Sequence, residues 1–145
     1  MKIYKLTSKK TNEIYIGKTT KTLKRRFREH KNDYKCWLHG INKFKSSYFL
    51  TEYDDVNIEL IEETNNSLRE IYWIHVSNCC NFDYNGEHFL ITKCNNKECR
   101  QGFAWQFSVQ KDKKRIVNKT SVDLDFLIEY RDNWLKLNED LFLSD

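Results

Sequence analysis

Proline is absent from the 145 residues, glycine occurs four times and methionine once. With no internal repeat and no low-complexity stretch either, nothing in the chain marks a flexible linker or a repeat array. No apolar run approaches the ~20 residues that cross a bilayer, which argues against a membrane span. Charged residues interrupt the N-terminus from Lys2 onward, which argues against a secretory leader. The expectation is an intracellular protein, in cytoplasm or nucleus and not secreted, whose five cysteines stay reduced. Cys79, Cys80, His88, Cys94 and Cys99 are zinc-ligand types, but an adjacent cysteine pair suits a tetrahedral site poorly, so free thiols are expected.

Acidic residues are scarce where basic ones are dense. Residues 1–50 hold 14 Lys+Arg against 3 Asp+Glu, a net +11, whereas residues 51–145 hold 11 against 18, a net −7. The basic part presents a field to a polyanion, nucleic acid above all, although a lysine-rich soluble surface would read the same way on charge alone.

The length suffices to bury a core without staples. Lys2 to Thr7 alternates as a strand, Ser8 to Glu13 reads as a hairpin turn, and Ile14-Tyr15-Ile16 as the returning strand, which would set Tyr4 and Tyr15 near each other across the ladder. Gly17 and Lys18 read as a glycine turn into a basic helix with Leu23, Phe27 and Tyr34 along one stripe. At ~100° per residue His30 falls inside that stripe and Arg26 on its edge, while Arg25 and Arg28 point away. A second helical piece is expected around residues 41–50 and a third strand over 56–62, with Val56, Ile58 and Leu60 inward. Ser67-Leu68-Arg69-Glu70 has the form of a capping box opening a helix over 68–76, so one reading of Glu70 is a cap. That helix is apolar almost all round, which predicts cover on more than one side and a partly dry setting for Glu70, where a carboxylate wants a cation.

Lys2-Ile3-Tyr4, Tyr15-Ile16-Gly17-Lys18, Arg26 and His30 in the order R-x-x-x-H, Ser46-Ser47, Glu70 in LREIYWI, and Asn81 eleven positions further on together resemble the GIY-YIG nuclease superfamily. The likeness covers about two thirds of the chain, and Lys2 departs from it by standing where the first motif usually has glycine. It implies an α+β fold, a small three-stranded antiparallel sheet flanked by helices, over residues 1–93. It implies a metal-dependent DNA endonuclease of homing type, acting on double-stranded DNA with Mg²⁺ or Mn²⁺. Glu70 would hold the metal, and Arg26 would contact the scissile phosphate as a rigid fork of donors. Tyr4 or Tyr15 would be the base with the other orienting it, and His30 would take the proton or hold Tyr4. Lys18, Arg25 and Ser47 would meet the substrate. Gly17 and Asn81 would be structural, Asn81 linking helices, with Asn85 in reserve for that role. One catalytic set per chain implies one nick per binding event, by a monomer or a transient dimer on DNA. A DNA-binding protein that lost turnover on the same scaffold, and a nuclease acting on branched or flapped DNA, are the alternatives.

Residues 94–145 read as a β-hairpin plus helix. Trp105, Phe107 and Val109 alternate, Lys111 to Lys114 form a turn, Arg115 to Val117 return, and Ser121 or Asp123 opens a helix with Leu124, Leu127, Tyr130, Trp134 and Leu137 in one stripe. The pattern weakly resembles an AP2-like DNA-binding module, with Lys111, Lys113, Lys114 and Arg115 toward DNA; an appendage completing the nuclease core fits equally.

Overall fold

The structure, a computed structural model, describes residues 1–77, 79–81 and 90–143. The chain divides into two compact units, Met1–Tyr84 and Asn85–Ser144.

In the first unit β1 (Lys2–Thr7) lies between β2 (Tyr15–Thr19) and β3 (Asn57–Glu63), both antiparallel to it. The expected three-stranded sheet is therefore present, with helices against it: α1 (Leu23–Leu38), α2 (Tyr48–Thr51) and α3 (Arg69–Val76). Tyr4 and Leu6 point from β1 to the face where Leu50, Val56 and Cys80 complete a buried cluster, with Tyr15, Leu23 and Phe27 packed at its margin. Burying a side chain of this size contributes ~1.5–3 kcal/mol, so these contacts fix α1 against the sheet.

Several local expectations need correcting. Gly17 lies inside β2, not in a turn, and its neighbour Lys18 continues the strand. The basic helix carries its stripe beyond Tyr34 to Leu38 because nothing in its sequence breaks it before Gly40, which takes φ +71°. The second helical piece is correspondingly short, Tyr48–Thr51. Leu60 pairs with Tyr4 in regular register yet is exposed, against the simple alternation, and a bulge directly after it skips Ile61 so that Ile3 meets Glu62. The capping box does not form: among the described residues the buried Ser67 hydroxyl has no hydrogen-bond partner, and Asn66 Oδ1 accepts from Leu68 N at 2.9 Å instead. No residue of α3 is fully buried and Val76 is exposed, so the helix is covered less completely than its apolar sequence suggests.

In the second unit β5 (Phe103–Lys111) is the centre of an antiparallel sheet with β4 (Ile91–Asn95) and β6 (Lys114–Ser121). Strand β4 was not foreseen; it begins before residue 94 and pairs with β5 from Ile91↔Phe107 to Asn95↔Phe103. The β5–β6 turn is tight, with Asp112 and Lys113 both at positive φ, 49° and 64°. Helix α4 (Leu124–Leu137) starts at Asp123, whose Oδ1 accepts from Phe126 N at 3.1 Å, and packs Leu127 and Leu135 inward; α5 (Glu139–Leu143) follows. Leu137, expected in the stripe, is 84% exposed because a 3.6-residue period carries the buried face to Leu135 instead. Among the described residues no helix is long and apolar enough to cross a membrane.

Candidate active site

Helix α1 begins at Thr22, whose hydroxyl accepts from Arg25 N at 3.3 Å. Its first turn holds Lys24, Arg25 and Arg26 and no acidic residue. Cations at the positive end of a helix dipole cost ~0.3–1 kcal/mol each, so stability alone disfavours this turn. An anion in front of it would reverse the sign.

From this turn Arg26 reaches inward. Its Nε donates to the Tyr4 hydroxyl at 2.9 Å and its Nη1 lies 3.4 Å from Glu29 Oε2. One helical turn on, His30 is buried, with Nε2 2.7 Å from the same hydroxyl. Arg26 takes one acceptor site of the phenol oxygen, and the tautomer that gives the phenol proton a partner at His30 Nε2 carries the imidazole hydrogen on Nδ1. Among the described residues Nδ1 has no partner. Tyr15 also meets His30, ring centroids 5.6 Å apart and steeply inclined, much as Tyr4 does at 5.8 Å.

The two tyrosines are diagonal neighbours, not direct partners. Across the ladder Tyr4 faces Gly17 and Tyr15 faces Leu6. A Cβ on Gly17 would stand 2.5 Å from the Tyr4 hydroxyl oxygen and 2.6 Å from its Cζ, so the glycine is the floor on which the phenol lies. Lys2, where the family usually has glycine, takes its place in β1 with Nζ 3.3 Å from Glu63, and the strand is undisturbed.

Burial above all raises the Tyr4 pKa, with Arg26 opposing through its hydrogen bond and charge and Glu70 and Glu29 adding to the rise. Tyr15 is raised further, by burial first and then by Tyr4 and Glu70. His30 is pushed down to about 4, by burial and then by the Arg26 charge.

Glu70 is held by Lys18, Nζ to Oε2 2.8 Å, and not by the backbone of its own helix start. Lys18 and Arg26 both line a depression of about 300 Å³, together with Met1, Thr19, Thr20, Lys21 and Glu29. A single half-buried carboxylate that already attracts an ammonium suits a hard cation completing its shell with water and phosphate oxygens. Among the described residues no group of three or more His, Cys, Asp or Glu side chains forms a ready-made metal cage.

Asn81 serves the sheet edge. Its Oδ1 accepts from Ile16 N at 2.8 Å and its Nδ2 donates to Ile16 O at 2.6 Å, so one amide completes the outer side of β2 as a further strand would. Its own carbonyl accepts from Ser46 Oγ at 2.5 Å. It thus bonds a strand edge and a turn, where a link between helices was expected. Asn85 and His88 lie outside the described residues.

Ser47, assigned to substrate, is buried, its hydroxyl without a partner among the described residues, and cannot touch a ligand from there. Arg25 is exposed, with its Nε 3.4 Å from the Glu29 carboxylate that also meets Arg26. Glu29 was passed over: it gathers Lys21 at 2.7 Å and Arg25 and Arg26 at 3.4 Å, and thereby holds the Arg26 guanidinium at the depression. The i, i+3 and i, i+4 spacing from the two arginines was the available signal.

No curated protein and no solved structure matches the chain. A family model described as the GIY-YIG catalytic domain matches residues 1–85. With the tyrosines on adjacent strands, Arg26 and His30 on the first helix and Glu70 on the third, sequence and structure agree, and the chain belongs to the GIY-YIG catalytic domain family.

Proposed function

We propose that the chain is a divalent-metal-dependent DNA endonuclease. The observation that carries the proposal is the shared hydroxyl of Tyr4, bonded at once by Arg26 and His30 beside a depression that Lys18 and Arg26 line.

Arg26 spends only Nε on Tyr4 and lies at 3.4 Å from Glu29 through Nη1, so the guanidinium has donors to turn toward a phosphate. Lys18 stands by the same opening as a second cation for the backbone. Glu70 would hold Mg²⁺ or Mn²⁺, and that ion would supply charge to polarise the phosphate and ease departure of the 3′ oxygen. Tyr4 is the base. Its oxygen is covered by Arg26 in the free protein, and engagement of Arg26 by phosphate uncovers it. His30, a weak base at about 4, is a positioning residue that aims the phenol and does not store its proton. Tyr15 supports His30 through a second edge-on ring contact.

Nicking of supercoiled plasmid by the full chain in Mg²⁺ and in Mn²⁺ tests the reading. Arg26→Ala and Glu70→Ala are each expected to lose at least 100-fold in rate while circular dichroism and melting stay near wild type. Wild-type protein that leaves plasmid, flapped and branched DNA uncut in every divalent metal would overturn it.

A further inference from the structure

Four cations on α1 take no part in the site just described. Lys24, Arg28, Lys31 and Lys35 are all exposed, and none makes an ion pair among the described residues. Their spacing of four, three and four places them within an arc of about 60° and along roughly 16 Å of helix. Arg26 and His30 lie about 200° and 240° round the axis from Lys24. Lys31 lies over the Phe27 ring, Nζ 4.3 Å from its centroid, so its stem is laid along the helix and its charge is kept at the surface.

Four uncompensated like charges in one row repel one another and weaken the helix they stand on. The acidic residues of α1, Glu29 and Asp33, turn elsewhere, Glu29 to Lys21 and the two arginines and Asp33 to Lys45. A row of this pitch fits the regular negative charge of a nucleic-acid backbone.

The geometry points to the outer face of α1 as a second DNA-binding surface, one that grips a duplex segment other than the one being cut. The inference rests on the endonuclease reading for its choice of polyanion. A helix with its side chains is ~10–12 Å across, and a straight duplex seated at the Arg26 depression lies on the wrong side of it to reach the row. A second arm, as in a branched or sharply bent substrate, reaches it. The row therefore favours branched over linear DNA without touching the chemistry.

Fluorescence anisotropy without metal tests this, with the full chain, a labelled 12-base-pair duplex and a labelled four-way junction built from arms of that length. The variant combines Lys24→Ala, Arg28→Ala, Lys31→Ala and Lys35→Ala; alanine preserves helix, and circular dichroism checks it. Junction affinity is expected to fall at least tenfold and the slope of log K against log salt to lessen by about 3.6, at ~0.9 for each of four phosphate contacts. Duplex affinity stays within twofold. An equal loss on both probes would make the row part of a single DNA track, and no loss on the junction would remove it from DNA binding; either result overturns the inference. Wild type that binds neither probe removes the polyanion and the inference with it. Absence of plasmid nicking alongside an intact junction preference would sink the endonuclease reading and leave the surface standing.

Discussion

Lys18 Nζ rests 2.8 Å from Oε2 of Glu70, so an ammonium occupies the carboxylate that the proposed function gives to a metal. The two side chains are 44% and 21% exposed, a setting in which an ion pair contributes at most ~1 kcal/mol. The pair is weak enough to be exchanged on metal binding and strong enough to be measured.

Removing the ammonium is therefore expected to favour the metal. Lys18→Met should tighten Mn²⁺ binding to the free protein by up to about fivefold, the factor that ~1 kcal/mol allows. Glu70→Gln should abolish that binding. Titration calorimetry reads both, and equal affinity in wild type and Lys18→Met would show that lysine and metal do not compete.

Gly17→Ala is the smallest substitution aimed at the phenol. The new Cβ would sit 2.5 Å from the Tyr4 hydroxyl oxygen and 3.0 Å from Tyr15 Cε1, and rigid rings on both sides have little room to yield. Overpacking of this kind costs ~1–3 kcal/mol, more than the ~0.4–1 kcal/mol that alanine gains by restricting the unfolded chain. A lower melting temperature together with a nicking rate reduced at least 100-fold is expected. A stable, active Gly17→Ala would mean that the Tyr4 position is not critical.

His30 makes the first unit acid-sensitive. Its folded pKa is about 4 against an ordinary 6.5, so the unfolded chain binds the proton first and acid favours unfolding. The stability linked to a neutral imidazole is complete above about pH 6.5 and falls away as pH drops toward 4, by roughly 3 kcal/mol in all. His30→Gln removes the titrating group. Melting temperatures from pH 4 to 8 should fall less steeply for that variant than for wild type, and parallel curves would contradict the assignment.

The raised pKa of Tyr4 fixes the form of the rate profile. With Tyr4 as base, its deprotonated fraction grows tenfold per pH unit below the pKa, so log kcat/KM should rise with a slope near ~1 from pH 6 to 9. With His30 as the proton acceptor the profile would be flat above about pH 5, since that imidazole is already neutral there. Tyr4→Phe should lose at least 100-fold, and Tyr15→Phe less than tenfold. The reverse order would move the base to Tyr15.

The sequence carried much of this because the relevant patterns are local. Strand β1 and the start of α1 followed from alternation and helical spacing, and the inward placement of His30, with Arg26 at the edge, followed from 100° per residue alone. The hairpin and helix of the second unit were legible for the same reason, and the structure chose Asp123 over Ser121 as the cap. Strand β4 was not, because five residues with little alternation become a strand only when β5 offers a ladder.

What tertiary structure alone decided is which atoms share a proton and which charges share a partner. Ser67 and Glu70 satisfy the spacing of a capping box, yet Lys18, 52 positions earlier in the chain, holds the carboxylate. Gly17 reads as a turn residue until Tyr4 is seen lying across it, and Ser47 reads as a ligand until it is found buried. Residue type and period fix what an element is and which side it turns inward, since those depend on neighbours along the chain. The meeting of Tyr4 with Arg26 and His30, and of Lys18 with Glu70, depends on how a sheet and two helices close over one another, and hydrophobic burial drives that closure without regard to chain order.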